Sequence, residues 1–288
     1  MNLALGTAQF GLNYGVANTS GQTSRDEAAR IVKRARKCGL DTLDTAAAYG
    51  ESERVLGDIG VGAWKIVTKV PPCGSRVDDG RNWVFEHVRR SLVALRVERL
   101  DAVLLHNASD LLSDHGAEIA AGLQAVKTEG MVGKVGYSIY SPQSLAELIE
   151  VMPPDLVQAP FNVLDQRLAR SGWLNRLVDA GTEVHVRSVF MQGLLLMSCE
   201  KRPPAFDKWR EHWQRWDAAV GERSEQALAL CLGYVKAQPG ISRVIVGVEN
   251  QEHLRQLLAI WEKAEPFDAS TLACDDPQLV EPSNWKLK

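Results

Sequence analysis

Eight times along this 288-residue chain an apolar strand-like run gives way to a segment with helical periodicity, and the connections are short. The strand-like runs are Leu3–Thr7, Leu40–Asp44, Lys65–Lys69, Leu100–His106, Lys134–Ser138, Leu156–Phe161, Glu183–Ser188 and Arg243–Gly247. Helical patterns cover Ser24–Cys38, Glu51–Ile59, Asn82–Leu95, Gly116–Glu129, Pro142–Val151, Arg170–Ala180, Glu222–Gln238 and Gln251–Lys263. Such alternation implies parallel strands joined by right-handed crossovers, and eight units suit a closed (β/α)8 barrel of the TIM type. A barrel of about 250 residues nearly uses up the chain. We therefore expect one domain over residues 1–288, with 268–288 as a C-terminal tail around the barrel. The alternative is an open, doubly wound sheet. It would need a phosphate fingerprint after the first strand, and GTAQFGLNYG lacks the G-x-G-x-x-G spacing.

Charge and cysteine usage narrow the function classes. A formal net charge of −3 offers no polycationic surface, so neither nucleic acid nor an anionic membrane is an expected partner. The N-terminus lacks a basic lead and a long apolar core, and no run of about 18 apolar residues follows, so signal peptide and membrane span are not expected. The five cysteines are odd in number, dispersed and never in a CxxC pair, and the six histidines show no ligand spacing. Those patterns argue against a disulfide scaffold or a metal site and for a reducing cytoplasm. Met191–Gly221 is the longest irregular stretch and a candidate active-site loop, though Trp209, Trp213 and Trp216 at helical spacing within it favour a packed helix.

The chemistry concentrates at strand ends. In LDTLDTAAAYGESERVLG, from Leu40 to Gly57, Asp44 closes a strand, Tyr49 follows in a turn and Ser52 is placed to cap a helix. Lys69 closes the third strand and His106 the fourth. Taken singly, a strand-end lysine is more often a rim charge, and a lone histidine or tyrosine a packing residue. Four such groups on consecutive strands would converge at the carboxyl mouth, where barrel enzymes react. There Lys69, paired with Asp44, would keep its charge and lower the phenol pKa. His106 would orient a substrate oxygen, and Tyr49 would protonate it as general acid. Side chains cannot supply a hydride, so a cofactor must.

This pattern resembles the aldo/keto reductases, barrel oxidoreductases that use a nicotinamide cofactor. The resemblance runs from GTAQFG at residue 6 to VGVENQEHL at residue 246 and is most specific in DTAAAYGESERVLG. It implies Asp44, Tyr49, Lys69 and His106 as a catalytic tetrad, and NADP or NAD as cofactor. It also places Gly6 and Thr7 beside the cofactor, and Ser138 and Gln158 against the nicotinamide carboxamide. Ile139 stands where the family usually has asparagine. Arg187 stands where an aromatic ring usually stacks on nicotinamide; a guanidinium plane can stack too, and a structural salt bridge is the other reading. Ser188, Phe190, Gln192 and Gly193 follow at the pyrophosphate loop. At the adenosine end the resemblance implies Gly247, Glu249, His253 and Gln256. His253 replaces an arginine that usually grips a 2′-phosphate, and Glu249 would repel one, so discrimination between NADP and NAD is expected to be weak.

The leading expectation is an oxidoreductase interconverting a carbonyl and an alcohol on a small molecule. A nicotinamide-binding regulatory barrel with little turnover is the alternative, and a Schiff-base lyase using Lys69 a weaker one. Asn13, Asn107, Ser109, Asp110 and Arg202 lie on loops that could form a polar pocket for a sugar-like substrate. Nothing in the sequence indicates an oligomeric state.

Overall fold

In a computed structural model, which describes residues 2–74, 79–221 and 224–285, eight parallel strands close into a barrel in sequence order. They are β1 (Leu3–Gly6), β2 (Thr42–Asp44), β3 (Lys65–Val70), β4 (Leu100–Leu105), β5 (Val132–Ser138), β6 (Leu156–Pro160), β7 (Glu183–Arg187) and β8 (Arg243–Gly247). Closure is made by β1 against β8, with Gly6 opposite Gly247. Outside lie α1 (Ala8–Gly11), α2 (Arg25–Lys37), α3 (Ser52–Ile59), α4 (Gly80–Leu95), α5 (Gly116–Thr128) and α6 (Leu145–Val151). The series continues with α7 (Arg167–Arg170), α8 (Trp173–Asp179), α9 (Arg210–Val220), α10 (Ser224–Lys236), α11 (Gln251–Lys263) and α12 (Pro277–Val280).

All eight expected strands are present, with ends that differ by a few residues. The expected helix at Glu222–Gln238 is seen from Ser224, its first two residues lying outside those described. Residues 75–78, between β3 and α4, and 286–288 of the tail are likewise outside them. The tryptophans of Met191–Gly221 do pack a helix. Trp213 and Trp216 are buried on α9, and their indole N–H groups donate to Phe206 O at 2.9 Å and Leu195 O at 3.1 Å. No helix among the described residues is long and apolar enough to cross a membrane.

Side-chain alternation explains how the barrel serves a site. Ile66 and Val70 of β3, Val103 and Leu105 of β4, and Val157 of β6 join the large core between sheet and helices. Their neighbours Val67, Ala102, Leu104 and Leu156 form a separate small cluster inside the barrel. With a period of two, the interior face then continues upward through Lys69, His106 and Gln158. The same count from Leu43, Tyr137 and Val186, which face the outer core, turns Asp44, Ser138 and Arg187 inward. Polar groups on these strands therefore stack above an apolar plug.

Room for that plug depends on a missing side chain. A Cβ added to Gly136 would meet the backbone oxygen of Leu156 at 1.8 Å, a collision no rotamer relieves. Gly136→Ala is expected to lower stability by about 3 kcal/mol, the upper part of the range for overpacking. Gly62, whose added Cβ meets nothing within 4 Å, gives the control: Gly62→Ala should stay within about 0.5 kcal/mol of the parent. Urea midpoints of the two variants check the contrast.

Candidate active site

The carboxyl mouth is organised by one buried ion pair. Lys69 Nζ donates to both carboxylate oxygens of Asp44 at 2.8 Å and to Thr45 O at 2.9 Å. Lys69 is 1% exposed and Asp44 4%. Gln158 Nε2 donates to Asp44 Oδ1 at 2.7 Å, so the carboxylate ties β2, β3 and β6 together. Burial pulls the Lys69 pKa down while Asp44 opposes it.

Tyr49 stands above this pair in a turn whose path is set by glycines. The backbone of α1 lies directly against it: a Cβ on Gly11 would fall 1.8 Å from Tyr49 O, and one on Gly50 2.5 Å from Gly11 O. Gly50 also has φ 55°, which glycine adopts without a steric penalty. Ser52, expected as a helix cap, does not cap. Glu51 holds that position, and the buried Ser52 hydroxyl contacts Thr7 O and Thr7 Oγ1 at 2.9 Å and Thr45 Oγ1 at 3.1 Å. Thr7 Oγ1 in turn donates to Asp44 O at 2.9 Å. This hydroxyl cluster fastens the ends of β1 and β2 to the start of α3, directly beneath Tyr49.

Around the phenol, Lys69 Nζ lies 5.2 Å from the ring centroid and the His106 ring meets it edge-on at 5.7 Å. The expected lowering of the Tyr49 pKa by Lys69 is not what this geometry produces. Burial and the nearby Asp44 charge push the phenol well above its ordinary value; Arg187 is the cation that draws it back. The physical reasons are burial first and then Asp44, which also offsets the Lys69 charge. His106 is pushed down to about 4, first by burial and then by the charges of Lys69 and Arg187. It is therefore neutral over the physiological range, and its buried Nδ1 has no hydrogen-bond partner among the described residues.

Two openings meet at Tyr49. A pocket of about 190 Å³ is lined by Tyr49, Lys69, His106, Ser138, Arg187 and Ser188, with Tyr14, Tyr140, Gln192, Pro282 and Ser283 completing its wall. A longer cleft of about 600 Å³ runs along the ends of β1, β7 and β8. Of the expected cofactor residues, Gly6, Thr7, Arg187, Ser188, Phe190 and Gln192 line it, as do Gly193, Gly247, Glu249, His253 and Gln256. Gln158 lines neither. It is fully buried behind Asp44, with its Oε1 unpartnered among the described residues. The turn after β7 holds Ser188, Met191 and Gln192 at positive φ, followed by Gly193 at 88°. Asn162 braces it by donating from Nδ2 to Ser188 O at 3.0 Å.

Arg187 forms no ion pair with a described carboxylate, so the salt-bridge reading does not hold; its donors go to Ser138 Oγ, Ser188 Oγ and Ile139 O. Arg202 is not a pocket residue either. It pairs with Asp217 and lies over Trp213 at 4.6 Å, bracing α9. Asp110 is buried, accepting from Cys73 N at 2.7 Å and Asn107 Nδ2 at 2.9 Å, which makes that pair a loop fastener. Sequence reasoning missed Tyr140, Pro282 and Ser283. Tyr140 adjoins Ser138, which could have pointed to it; the tail residues carry no local signal.

Residues 2–273 match the aldo/keto reductase family. The chain is 25% identical over 273 residues to YqkF, an uncharacterized oxidoreductase of Bacillus subtilis, covering 88% of each. It is 26% identical to D-arabinose 1-dehydrogenase of Saccharomyces cerevisiae, over 87% of this chain and 81% of that one. The crystal structure of a candidate aldo-keto reductase from Pseudomonas aeruginosa is 27% identical and superposes with a TM-score of 0.68, over 91% of this chain and 90% of the other. A barrel whose whole length matches in this way, with an oxidoreductase's relatives, belongs to the aldo/keto reductase family and is an NAD(P)H-dependent oxidoreductase.

Proposed function

We propose that this enzyme reduces the carbonyl of a small, sugar-like molecule with Tyr49 as the proton donor, and runs the reverse oxidation with Tyr49 as base. The observation that carries the reading is the convergence of Tyr49, His106 and the Asp44–Lys69 pair on one small pocket that opens beside the long cleft. Bound nicotinamide supplies the hydride to the carbonyl carbon. The cleft suits that cofactor: the turn from Ser188 to Gly193 lines it and offers backbone amides to a pyrophosphate.

The residues divide the proton work. As the carbonyl oxygen gains negative charge, the Tyr49 hydroxyl donates to it and the O–H bond passes from phenol to product. A phenol with a raised pKa does not ionise beforehand, so it holds its proton until an alkoxide forms. His106, being neutral, donates one ring N–H to the same oxygen without adding charge. Arg187 steadies the phenolate once it appears, since it is the cation that draws the Tyr49 pKa back. A sugar-like substrate is favoured by the relative that acts on D-arabinose.

Replacing Tyr49 by Phe removes the transferable proton and leaves the cleft intact. Turnover should fall by at least about 100-fold, the scale of general acid catalysis, while the dissociation constant for NADH or NADPH changes little. Rapid reduction by the variant overturns the assignment.

Cofactor choice follows from charge at the β8–α11 end of the cleft. Glu225 and Glu249 line it, and His253 and Arg187 are its only basic side chains among the described residues. Two donors in the first turn of α11 are already taken: Gln251 N donates to Glu27 Oε1 at 2.7 Å and His253 N to the Asn250 side chain at 2.9 Å. A 2′-phosphate would meet acids there and few free donors. Tryptophan-fluorescence titrations should show NADH binding comparable to NADPH; a 100-fold preference for NADPH contradicts this.

His106 also links folding to pH. The folded protein protonates it only near 4, whereas the unfolded chain does so near 6.5. The unfolded state thus binds more protons in that interval, and stability falls as pH drops through it. His106→Asn removes this contribution, so its urea midpoint should fall less than the parent's between pH 7 and pH 4.5. Equal losses would show that His106 is not held neutral.

A further inference from the structure

The pocket beside Tyr49 contains a positive charge that no carboxylate among the described residues balances. Lys69 is matched by Asp44. Arg187, delivered to the mouth by the interior face of β7, is not. Nη2 donates to Ile139 O at 3.0 Å, Nη1 to Ser188 Oγ at 3.3 Å and Nε to Ser138 Oγ at 3.4 Å. All three acceptors are uncharged, and they occupy three of the five N–H groups of a guanidinium. The guanidinium carbon also lies 4.7 Å from the Tyr140 ring centroid. Among the described residues, none that lines the pocket is an aspartate or glutamate.

A partly buried cation without a counter-ion is costly, and a bound anion is the usual compensation. The effect of this charge is felt across the pocket, since it pulls down the pKa of both Tyr49 and His106. A carboxylate meets a guanidinium edge with two parallel bonds, a match that lysine cannot make. The pocket is small, about 190 Å³ or roughly six water volumes. An anion bound there must lie within a few bonds of a group touching Tyr49.

We infer that the substrate is a short carbonyl compound bearing a carboxylate, and that Arg187 is the residue that binds the carboxylate while Tyr49 and His106 receive the carbonyl oxygen. The inference rests on the reading of Tyr49 and His106 given above. The reaction is unchanged: hydride to carbon, the Tyr49 proton to oxygen, and oxidised nicotinamide released. What is added is a specificity determinant of this chain's own.

The test compares matched substrates, so that effects on fold or cofactor cancel in a ratio. kcat/KM is measured for 4-oxobutanoate against butanal and for D-glucuronate against D-glucose. The parent enzyme should favour the acid of each pair by about thirtyfold, the worth of a charged hydrogen-bonded contact. In Arg187→Met that ratio should collapse towards one, chiefly through KM of the acid, and Arg187→Lys should retain part of it. A parent ratio below about threefold, or one unchanged in Arg187→Met, overturns the inference while leaving the catalytic reading standing. If no carbonyl compound is reduced, the catalytic reading fails instead. Butanoate binding by calorimetry then decides the role of Arg187: about tenfold weaker binding to Arg187→Met supports it, and equal binding overturns it.

Discussion

The interaction on which the mouth of this barrel depends is the salt bridge between Asp44 and Lys69. Two charges with almost no solvent exposure are expensive to bury, and an apolar pair of similar volume would hold the barrel at least as firmly. Stability alone does not account for them. What the pair does is fix positions. The ammonium is filled by two carboxylate contacts and a backbone oxygen, and the carboxylate takes a further bond from Gln158. Three strands are held in register at the level where the reaction would occur, and Tyr49 rests on a base that cannot shift. Losing one partner would leave the other buried and unmatched, which typically costs about 3–5 kcal/mol.

Above that base, the division of labour follows from charge accounting. A neutralised Lys69 leaves Tyr49 a firmly protonated acid, and leaves Arg187 as the surplus cation of the pocket. His106 is kept neutral first by burial and then by the charges of Lys69 and Arg187. Burial and this ion pair together set the protonation states of its neighbours. The hydroxyl cluster of Thr7, Thr45 and Ser52 extends this order below the turn of Tyr49 without adding charge.

The parts legible in the sequence were those governed by short-range periodicity. Strand ends mark Lys69 and His106 as candidates for the mouth, and alternation by two turns both to the interior. Helical spacing of Trp209, Trp213 and Trp216 signals α9. The parts that were not legible depend on contacts between distant segments. Ser52 has the sequence of a cap but is drawn into the interior by Thr7, a residue of the first strand's loop. Arg202 looks like a pocket cation, yet Asp217 and Trp213 claim it. Pro282 and Ser283 reach the pocket from the C-terminal tail, a wall that local pattern does not reveal. The direction of the Tyr49 shift needed three-dimensional knowledge of which partner neutralises Lys69.

The turn after β7 shows where this protein forgoes robustness. Ser188, Met191 and Gln192 adopt left-handed backbone conformations without being glycine, at about 1 kcal/mol or more each. A glycine at Gln192 would relax the backbone but also release the turn in the unfolded chain and erase a side chain facing both openings. Selection for heat resistance would meet conflicting demands at these three positions, whereas surface helices offer stabilising changes without that conflict. Thermal hardening of this enzyme should thus begin away from the turn, and any hardened variant altered within it should be screened for a changed substrate range.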